Sequence, residues 1–411
     1  MAERFQAPRG TADVLPVEAA ARARIDRVAR SLLERAGYAR IETPVFEDTE
    51  LFARGVGGST DIVRKEMFTF EDQGGRSITL RPEATASIAR AYLEHGMQKL
   101  PQPVKLWWYG PLFRHERPQA GRFRQFTQLD AEVIGSESPL VDAELILLCD
   151  EFLRALEVPE LTLRIGSLGS PEARAAYREE LIAYLREHEA DLDRDVRERI
   201  DENPLRAFDS KDEATRAVMA GAPTMLDRLE GEDAEHFAAV CRLLDDARLK
   251  YEVDGRLVRG LDYYTRTVFE FHSARLGAQS QVAGGGRYDK LVELLGGPPT
   301  PANGWAAGIE RILLAIDTTE EEPPHDAFVA AEDSQRERAL ALVTELRRAG
   351  LRADLDLAGR SMKGQMRQAD RTGASHALIL DAGGSIQLRD MRSGAQREVE
   401  AGRIVEELSA G

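Results

Sequence analysis

Residues 113–135, FRHERPQAGRFRQFTQLDAEVIG, constrain the fold more than any other stretch of the chain. A charged segment with a Pro-Gln-Ala-Gly turn leads into an extended segment, where Gln128, Asp130 and Glu132 alternate with apolar residues. Because successive side chains of a strand point to opposite faces, the three polar residues share one face. The pattern predicts two paired strands joined by a charged loop. The polar face suits either solvent or a small polar ligand.

Composition excludes several classes of protein. The 411 residues are long enough for two or three domains, each with its own core. The formal net charge of −16 argues against general affinity for nucleic acids. The charge is uneven, because residues 171–250 contain 13 basic and 21 acidic residues. We therefore expect any anionic partner to dock through local patches.

Nothing in the sequence indicates a membrane protein or a disulfide-stabilised one. The N-terminal residues contain no apolar run, and no uninterrupted apolar stretch reaches membrane-spanning length. Cys149 and Cys241 lie in apolar helix-like segments without CxxC spacing, so we expect buried thiols rather than a metal site. These features predict a cytoplasmic location.

The chain is predicted to contain two domains, residues 1–324 and 325–411. The acidic, Pro-rich run TTEEEPPH at 318–325 marks the boundary. Strands and helices alternate beyond it and end in a hairpin, which predicts a small α/β domain with a mostly parallel sheet. The first domain begins with a helix at 16–37 and carries a helical insertion at about 171–250.

Residues 251–272, YEVDGRLVRGLDYYTRTVFEFH, predict a hairpin-like pair of strands. Tyr263 and Tyr264 fall in the middle of a predicted strand. A glycine triplet follows at 284–286, where the backbone is able to approach a ligand closely.

Arg114, Arg259 and Arg311 form a candidate anion site. Each lies near glycine at a predicted strand or helix start, and guanidinium groups bind phosphates and stabilise charge that develops on phosphorus. Glu83, Gln128 and Glu132 are acceptors suited to an ammonium group and an imidazole. From the residues alone, an ordinary salt bridge remains an alternative interpretation for each of these side chains.

Several longer motifs resemble those of one family. They are IETPVFE, TDIVRKEMFTF, LRPEATA, FRHERPQAGRFRQF, LVRGLDYYTRTVFEF, GGGRYD and AAGIERILL. In this order they resemble bacterial histidyl-tRNA synthetases, which are class II aminoacyl-tRNA synthetases, over essentially the whole chain. The resemblance implies an α+β catalytic domain with a mostly antiparallel sheet and a helical insertion, followed by a small α/β anticodon-binding domain.

The same resemblance implies a role for each matching residue. Arg259 and Arg114 would be catalytic. Histidine would be bound by Glu83, Thr85, Gln128, Glu132, Tyr263, Tyr264 and Tyr288. ATP would be bound by Arg114, Glu116, Phe126 and Arg311. Histidine tRNA would be bound by Arg117 and Gln119. The basic run GRSMKGQMRQADR in the second domain adds Arg360, Lys363 and Arg367 as candidate tRNA contacts, with a solvated helix of mixed charge as the alternative. Mg²⁺ would arrive with ATP, no metal would be held by the protein itself, and the motif around Pro44 implies a homodimer.

Two other classes of protein stay open at this point. One is a catalytically inactive relative, like the synthetase-like regulatory subunit of ATP phosphoribosyltransferase. The other is an RNA-binding or sensor module descended from a synthetase. The presence of residues 325–411, Arg259 and the RPQ loop favours the ligase. Ala84 departs from the glycine usual in the family, and Asp130 receives no role.

Overall fold

The structure is a computed structural model that describes residues 4–58, 60–316 and 325–409. The chain divides into two compact units, residues 1–319 and 320–411. The α-helices are α1 Pro16–Arg35, α2 Thr49–Val56, α3 Thr85–Glu94, α4 Pro139–Ala155, α5 Pro171–Glu187, α6 Arg194–Glu198, α7 Glu213–Ala220, α8 Gly231–Asp246, α9 Leu291–Leu294, α10 Ile309–Ala315, α11 Arg336–Arg348, α12 Met362–Arg371 and α13 Ile404–Ser409. The strands are β1 Ala39–Arg40, β2 Phe46–Asp48, β3 Phe68–Glu71, β4 Ser77–Leu80, β5 Val104–Phe113, β6 Gln125–Ile134, β7 Leu161–Ser167, β8 Glu252–Val253, β9 Thr265–Ser273, β10 Gln281–Arg287, β11 Ala302–Gly308, β12 Ala327–Ala331, β13 Ala353–Leu355, β14 His376–Leu380, β15 Ile386–Asp390 and β16 Gln396–Glu398.

An eight-stranded sheet in the order β1-β5-β6-β11-β10-β9-β7-β8 forms the centre of the first unit. Only its two edge pairs, β1 with β5 and β7 with β8, are parallel. The prediction of a mostly antiparallel sheet is therefore confirmed. The predicted strand pair of residues 113–135 is also confirmed, since β5 and β6 pair antiparallel over their full length.

The helices of the first unit bury one face of this sheet. α1, α4 and α10 supply Ile25, Phe152 and Ile312 to a core that also contains Trp107 of β5 and Trp305 of β11. The rings of Phe152 and Trp305 stack with their centroids 5.8 Å apart. Burial of large aromatic side chains dominates the energetics of such a core. This packing fixes the position of the sheet, which carries other residues on its opposite face.

The acidic block 171–250 is helical, as expected. Its first part surrounds a small core of its own, with Tyr177, Leu181 and Met219 among the buried residues. The last helix, α8, behaves differently, because its Val240 and Leu244 belong to the main core beside α4. A separate three-stranded sheet, β2-β4-β3, precedes α3.

The second unit has a five-stranded sheet in the order β13-β12-β14-β15-β16. β12 is parallel to β13 and β14, whereas β15 pairs antiparallel with β14 and β16. The predicted α/β class is confirmed, but the sheet is mixed rather than mostly parallel. The two parallel pairs are matched by two antiparallel pairs, both of which involve β15.

Two details differ from the sequence-based expectation. Tyr263 and Tyr264 lie in a turn before β9 rather than in mid-strand. β8 is only two residues long and pairs with β7, so residues 251–272 form no hairpin. The predicted linker at 318–325 lies outside the described residues except for His325. No helix within the described ranges is long and apolar enough to cross a membrane.

Candidate active site

A cavity of about 500 Å³ opens on the face of the large sheet opposite the main core. Its walls include the segment that follows β5 and parts of the strands β6, β9, β10 and β11. All the residues predicted to bind histidine or ATP line this cavity: Glu83, Thr85, Arg114, Glu116, Phe126, Gln128, Glu132, Arg259, Tyr263, Tyr264, Tyr288 and Arg311. They come from segments far apart in the sequence, so the fold alone brings them together.

The alternation in β6 directs Gln128, Asp130 and Glu132 into the cavity. β11 lies beside β6 and presents Gly304 opposite Glu132. A Cβ atom at Gly304 would clash with the Glu132 carboxylate. Glycine is therefore required at this position for the carboxylate to occupy its place.

Glu132 is fully buried and held by two hydroxyl donors. Thr85 Oγ1 donates to its Oε1 at 2.8 Å, and the Tyr288 hydroxyl donates to its Oε2 at 2.5 Å. Burial raises the pKa of Glu132 to about 8, although both hydrogen bonds act to lower it. The carboxyl group is thus ready to accept from a ligand N–H once that ligand offsets the cost of ionisation.

Three tyrosine rings form an aromatic wall beside Glu132. The ring of Tyr263 lies 4.8 Å from that of Tyr264 and 5.6 Å from that of Tyr288, centroid to centroid. All three side chains are buried. A flat ring such as an imidazole fits a wall of this kind, and the tyrosine hydroxyls offer polar contacts at its edge.

Glu83 lies where β4 leads into α3. Its Oε1 accepts from the backbone N–H of Ala86 at 2.9 Å, which fixes the side chain at the first turn of the helix. The carboxylate is 3% exposed. Its second oxygen, Oε2, is buried and has no hydrogen-bond partner among the described residues.

Arg114 and Phe126 lie across from each other at the end of the β5–β6 pair. The Arg114 guanidinium lies over the Phe126 ring at 5.3 Å, and its Nε donates to the Pro82 carbonyl at 2.8 Å. Glu116 forms an ion pair with Arg122 at 2.8 Å. Arg311, at the start of α10, donates only to carbonyl oxygens in the described contacts, those of Gln281 and Gly121. Its charge therefore stays available to an anion.

Arg259 is held by a series of connected side chains, two of which, Glu270 and His272, lie on β9. Its Nη1 donates to Glu270 Oε1 at 2.5 Å, and its guanidinium lies 5.3 Å from the centre of the Tyr264 ring. The second oxygen of Glu270 contacts His272 Nε2 at 3.0 Å, and His272 Nδ1 contacts Ser280 Oγ at 3.0 Å. Glu270 and His272 were absent from the predicted site. Their signal in the sequence is a pair of polar residues, two apart, in the otherwise apolar strand VFEFH.

The motif GGGRYD sends two neighbouring side chains in opposite directions. Tyr288 enters the cavity, whereas Arg287 is fully buried and forms an ion pair with the buried Asp142 of α4. His236 of α8 contacts the other Asp142 oxygen at 3.2 Å. This buried cluster fastens β10 to α4, and so fixes the start of the segment that carries Tyr288.

The predicted tRNA contacts lie outside the cavity. Arg117 and Gln119 are exposed in the loop between β5 and β6. Arg360, Lys363 and Arg367 are exposed at and along α12 in the second unit, where Arg360 pairs with Asp356 at 2.6 Å. Gln365 anchors α12 from its buried side through two hydrogen bonds to the backbone of Ala331.

Known proteins resemble the chain over both units. A family model described as histidyl-tRNA synthetase matches residues 10–312. The chain belongs to the histidyl-tRNA synthetase family. A second model, described as an anticodon binding domain, matches residues 320–410.

Individual relatives of this family agree along nearly the full length. A histidine–tRNA ligase of Rubrobacter xylanophilus is 50% identical over 97% of each chain. One of Thermosynechococcus vestitus is 46% identical over 95% of this chain and 93% of its own. The solved histidyl-tRNA synthetase of S. aureus is 35% identical, covers 98% of this chain and 100% of its own, and superposes with a TM-score of 0.82.

These likenesses confirm the predicted family and the predicted enzyme class, an aminoacyl-tRNA ligase. The alternative of a regulatory subunit is not favoured, because relatives that are 46–50% identical over nearly the full length are named histidine–tRNA ligases. As a histidyl-tRNA synthetase, the chain is expected to act on ATP and on tRNA. The cavity is the candidate site for ATP.

Proposed function

We propose that the chain activates L-histidine with ATP in this cavity and transfers the product to the 3′ end of histidine tRNA. The observation that carries the proposal is the joint content of one cavity: the buried carboxyl groups of Glu83 and Glu132, and the guanidinium groups of Arg114, Arg259 and Arg311. An amino acid with a basic side chain needs the first set, and a triphosphate needs the second.

Histidine is proposed to lie between Glu83 and Glu132. Glu83 and Thr85 receive the α-ammonium group, and Gln128 lines the pocket beside them. Glu132 accepts from the imidazole, against the rings of Tyr263, Tyr264 and Tyr288. A pocket whose buried polar groups need matching partners rejects side chains that lack them, which explains how the enzyme selects histidine.

ATP is proposed to lie toward the open ends of β5 and β6. Phe126 stacks on adenine, and Glu116 contacts its edge. Arg114 holds the α-phosphate and Arg311 the γ-phosphate. Arg259 lies where the histidine carboxylate and the α-phosphate meet, because it is held beside Tyr264 on one side and Glu270 on the other.

The reaction follows from this arrangement. An oxygen of the histidine carboxylate forms a bond to the α-phosphorus, and the bond from that phosphorus to the bridging oxygen breaks, which releases pyrophosphate. The 3′-terminal hydroxyl of the tRNA then attacks the carbonyl of histidyl-adenylate, and AMP leaves. Positioning and arginine charge supply most of the catalysis.

Mg²⁺ enters the proposal as part of the ATP substrate and offsets phosphate charge. Among the described residues, no group of three or more His, Cys, Asp or Glu side chains is arranged to hold a metal ion. The carboxylate nearest to Arg259, that of Glu270, is already engaged by Arg259 and His272.

The tRNA is proposed to contact both units. Arg117 and Gln119 reach its 5′ end, beside the acceptor end that must enter the cavity. Arg360, Lys363 and Arg367 contact the anticodon region. Their exposure is what phosphate and base contacts require. We also propose a cytoplasmic homodimer, on the basis of the motif around Pro44.

The proposal is tested by two assays on the purified chain. Exchange of labelled pyrophosphate into ATP should depend on histidine and should not occur with other amino acids. Charging of histidine tRNA should follow at the same active site. A chain that shows neither reaction, while folded and supplied with Mg²⁺, is not a histidine–tRNA ligase.

A further inference from the structure

Asp130 lies in the middle of the cavity wall and has no part in the reaction described so far. It occupies β6 between Gln128 and Glu132, with Trp108 of β5 on one side and Ala306 of β11 on the other. It lines the cavity and is 1% exposed. A buried carboxylate is costly unless it is paired, so its position calls for a partner.

That partner is absent from the described chain. Asp130 Oδ1 is buried without a hydrogen-bond donor, and so is Glu83 Oε2. Glu132 in the same wall differs, because each of its oxygens accepts from a hydroxyl. Glu116 Oε2 also lacks a hydrogen bond but forms an ion pair with Arg122. Among the described residues, Asp130 Oδ1 and Glu83 Oε2 are thus the buried carboxylate oxygens of this cavity without either kind of partner.

The nearby arginines do not fill this role. Arg81 donates to the carbonyl oxygens of Pro111, Thr43 and Pro44 and lies over the Trp108 ring at 4.6 Å. Arg114 is engaged by Pro82 and Phe126. Both act on Asp130 through their charge, but neither donates a hydrogen bond to its Oδ1 in the described chain.

The electrostatics of Asp130 favour a cationic ligand. Burial, followed by the charges of Glu132 and Glu83, raises the pKa of Asp130 well above its ordinary range, and Arg114 and Arg81 offset only part of this. A cation placed among these carboxylates would relieve both the repulsion and the missing hydrogen bonds. A primary ammonium group has the right valency, since it offers three N–H donors.

We propose that Asp130 and Glu83 together hold the α-ammonium group of the histidine substrate, with one N–H donated to Asp130 Oδ1 and another to Glu83 Oε2. This inference rests on the proposed function and makes Asp130 a substrate-binding residue. It explains why a third carboxylate lies in a pocket whose imidazole partner is Glu132. It also predicts that a change of Asp130 lowers the affinity for ligands that carry the ammonium group.

The test compares three ligands by isothermal titration calorimetry on the full chain. L-Histidine has both an ammonium and a carboxylate, histamine lacks the carboxylate, and imidazolepropionate lacks the ammonium. Asp130→Asn should weaken histidine and histamine about 10-fold or more, as expected for one charge-assisted hydrogen bond. The affinity for imidazolepropionate should stay unchanged or increase. Asp246→Asn, an exposed change in α8, is the charge control and should leave all three affinities unchanged.

Two results would overturn the inference. Equal weakening of all three ligands would show that Asp130 shapes the pocket or acts on the imidazole. Unchanged histidine affinity would show that it makes no contact. Asp130→Ala provides a second variant should the asparagine variant fail to fold, with the same pattern expected. If wild-type protein itself binds no histidine, the proposed function fails; if wild type binds and the Asp130 variants do not discriminate, only this inference fails.

Discussion

Arg259 donates through Nη1 to Glu270 Oε1 at 2.5 Å, and both side chains are 14% exposed at the cavity wall. The pair is extended by His272 and Ser280, so that the orientation of one guanidinium depends on three residues behind it. Arg259 is the arginine proposed to act on the reacting carboxylate and α-phosphate. The proposed action of Arg259 therefore depends on this support as well as on its charge.

Glu270→Gln should lower the rate of histidine-dependent pyrophosphate exchange about 10- to 100-fold, because a neutral amide holds Arg259 less firmly. His272→Gln should have a smaller effect in the same direction. Steady-state kinetics should show the loss mainly in kcat, with the KM for histidine changed little. Glu293→Gln, which touches only the exposed Lys290 pair, is the matched control. An unchanged kcat in Glu270→Gln would contradict the positioning role.

Tyr288→Phe should weaken histidine binding about 10-fold. The hydroxyl that donates to Glu132 Oε2 at 2.5 Å would be lost, and the carboxyl group would ionise less readily when the imidazole arrives. Calorimetry with histidine measures this directly, while ATP affinity should be unaffected. Tyr92→Phe removes a buried hydroxyl that bonds Gln102 outside the cavity and should leave histidine binding intact. Equal effects of the two variants would show a general loss of packing instead.

Glu132 should make the ligand-free enzyme less stable as pH rises. Burial raises its pKa from an ordinary value of 4.5 to about 8, so the folded state holds a proton that the unfolded state has lost. The resulting stabilisation is fully present below pH 4.5 and disappears as pH increases through 8. Between pH 6 and 8.5, the free energy of unfolding of Glu132→Gln should rise relative to wild type by roughly 2 kcal/mol. Urea unfolding at the two pH values checks this, and a constant difference would refute the assignment.

Asp142→Ala should destabilise the first unit by about 3 kcal/mol, because the fully buried Arg287 guanidinium loses its buried carboxylate partner and keeps the more exposed Asp289. Since Arg287 fastens the strand that leads to Tyr288, histidine affinity should fall as well. Urea unfolding of the variant provides the measurement. Glu180→Ala breaks an exposed pair with Arg228 and should change stability little. Similar losses from both variants would mean that the buried cluster has no special role.

The sequence predicted local structure better than it predicted which residues meet in the cavity. The alternation in residues 125–134 placed Gln128, Asp130 and Glu132 on one face correctly, because the period of a strand is a local property. Local sequence patterns do not show that Arg114, Arg259 and Arg311 line the same cavity. These three come from the end of a strand, a turn and a helix start, and only the order of strands in the sheet brings them together.

The wrong and missing assignments have physical causes. The run LDYYTRTVFEFH has the aromatic and β-branched composition of one continuous strand, but Arg266 adopts a positive φ of 47° and the tyrosines before it turn into the cavity. Their rings are stabilised by packing against each other, which composition does not reveal. Glu270 and His272 were missed because charged and polar residues within a strand are more often solvated, whereas here Glu270 contacts Arg259 and His272 contacts Glu270.

We propose that the guanidinium of Arg259 assists the attack of the histidine carboxylate on the α-phosphate. The most direct measurement is histidine-dependent pyrophosphate exchange by wild type, Arg259→Ala and the exposed control Arg76→Ala, each shown to be folded by circular dichroism. We expect Arg259→Ala to lose at least about 100-fold in kcat, because a group that stabilises developing charge is removed, and Arg76→Ala to match wild type. Near-normal exchange by folded Arg259→Ala would contradict this proposal.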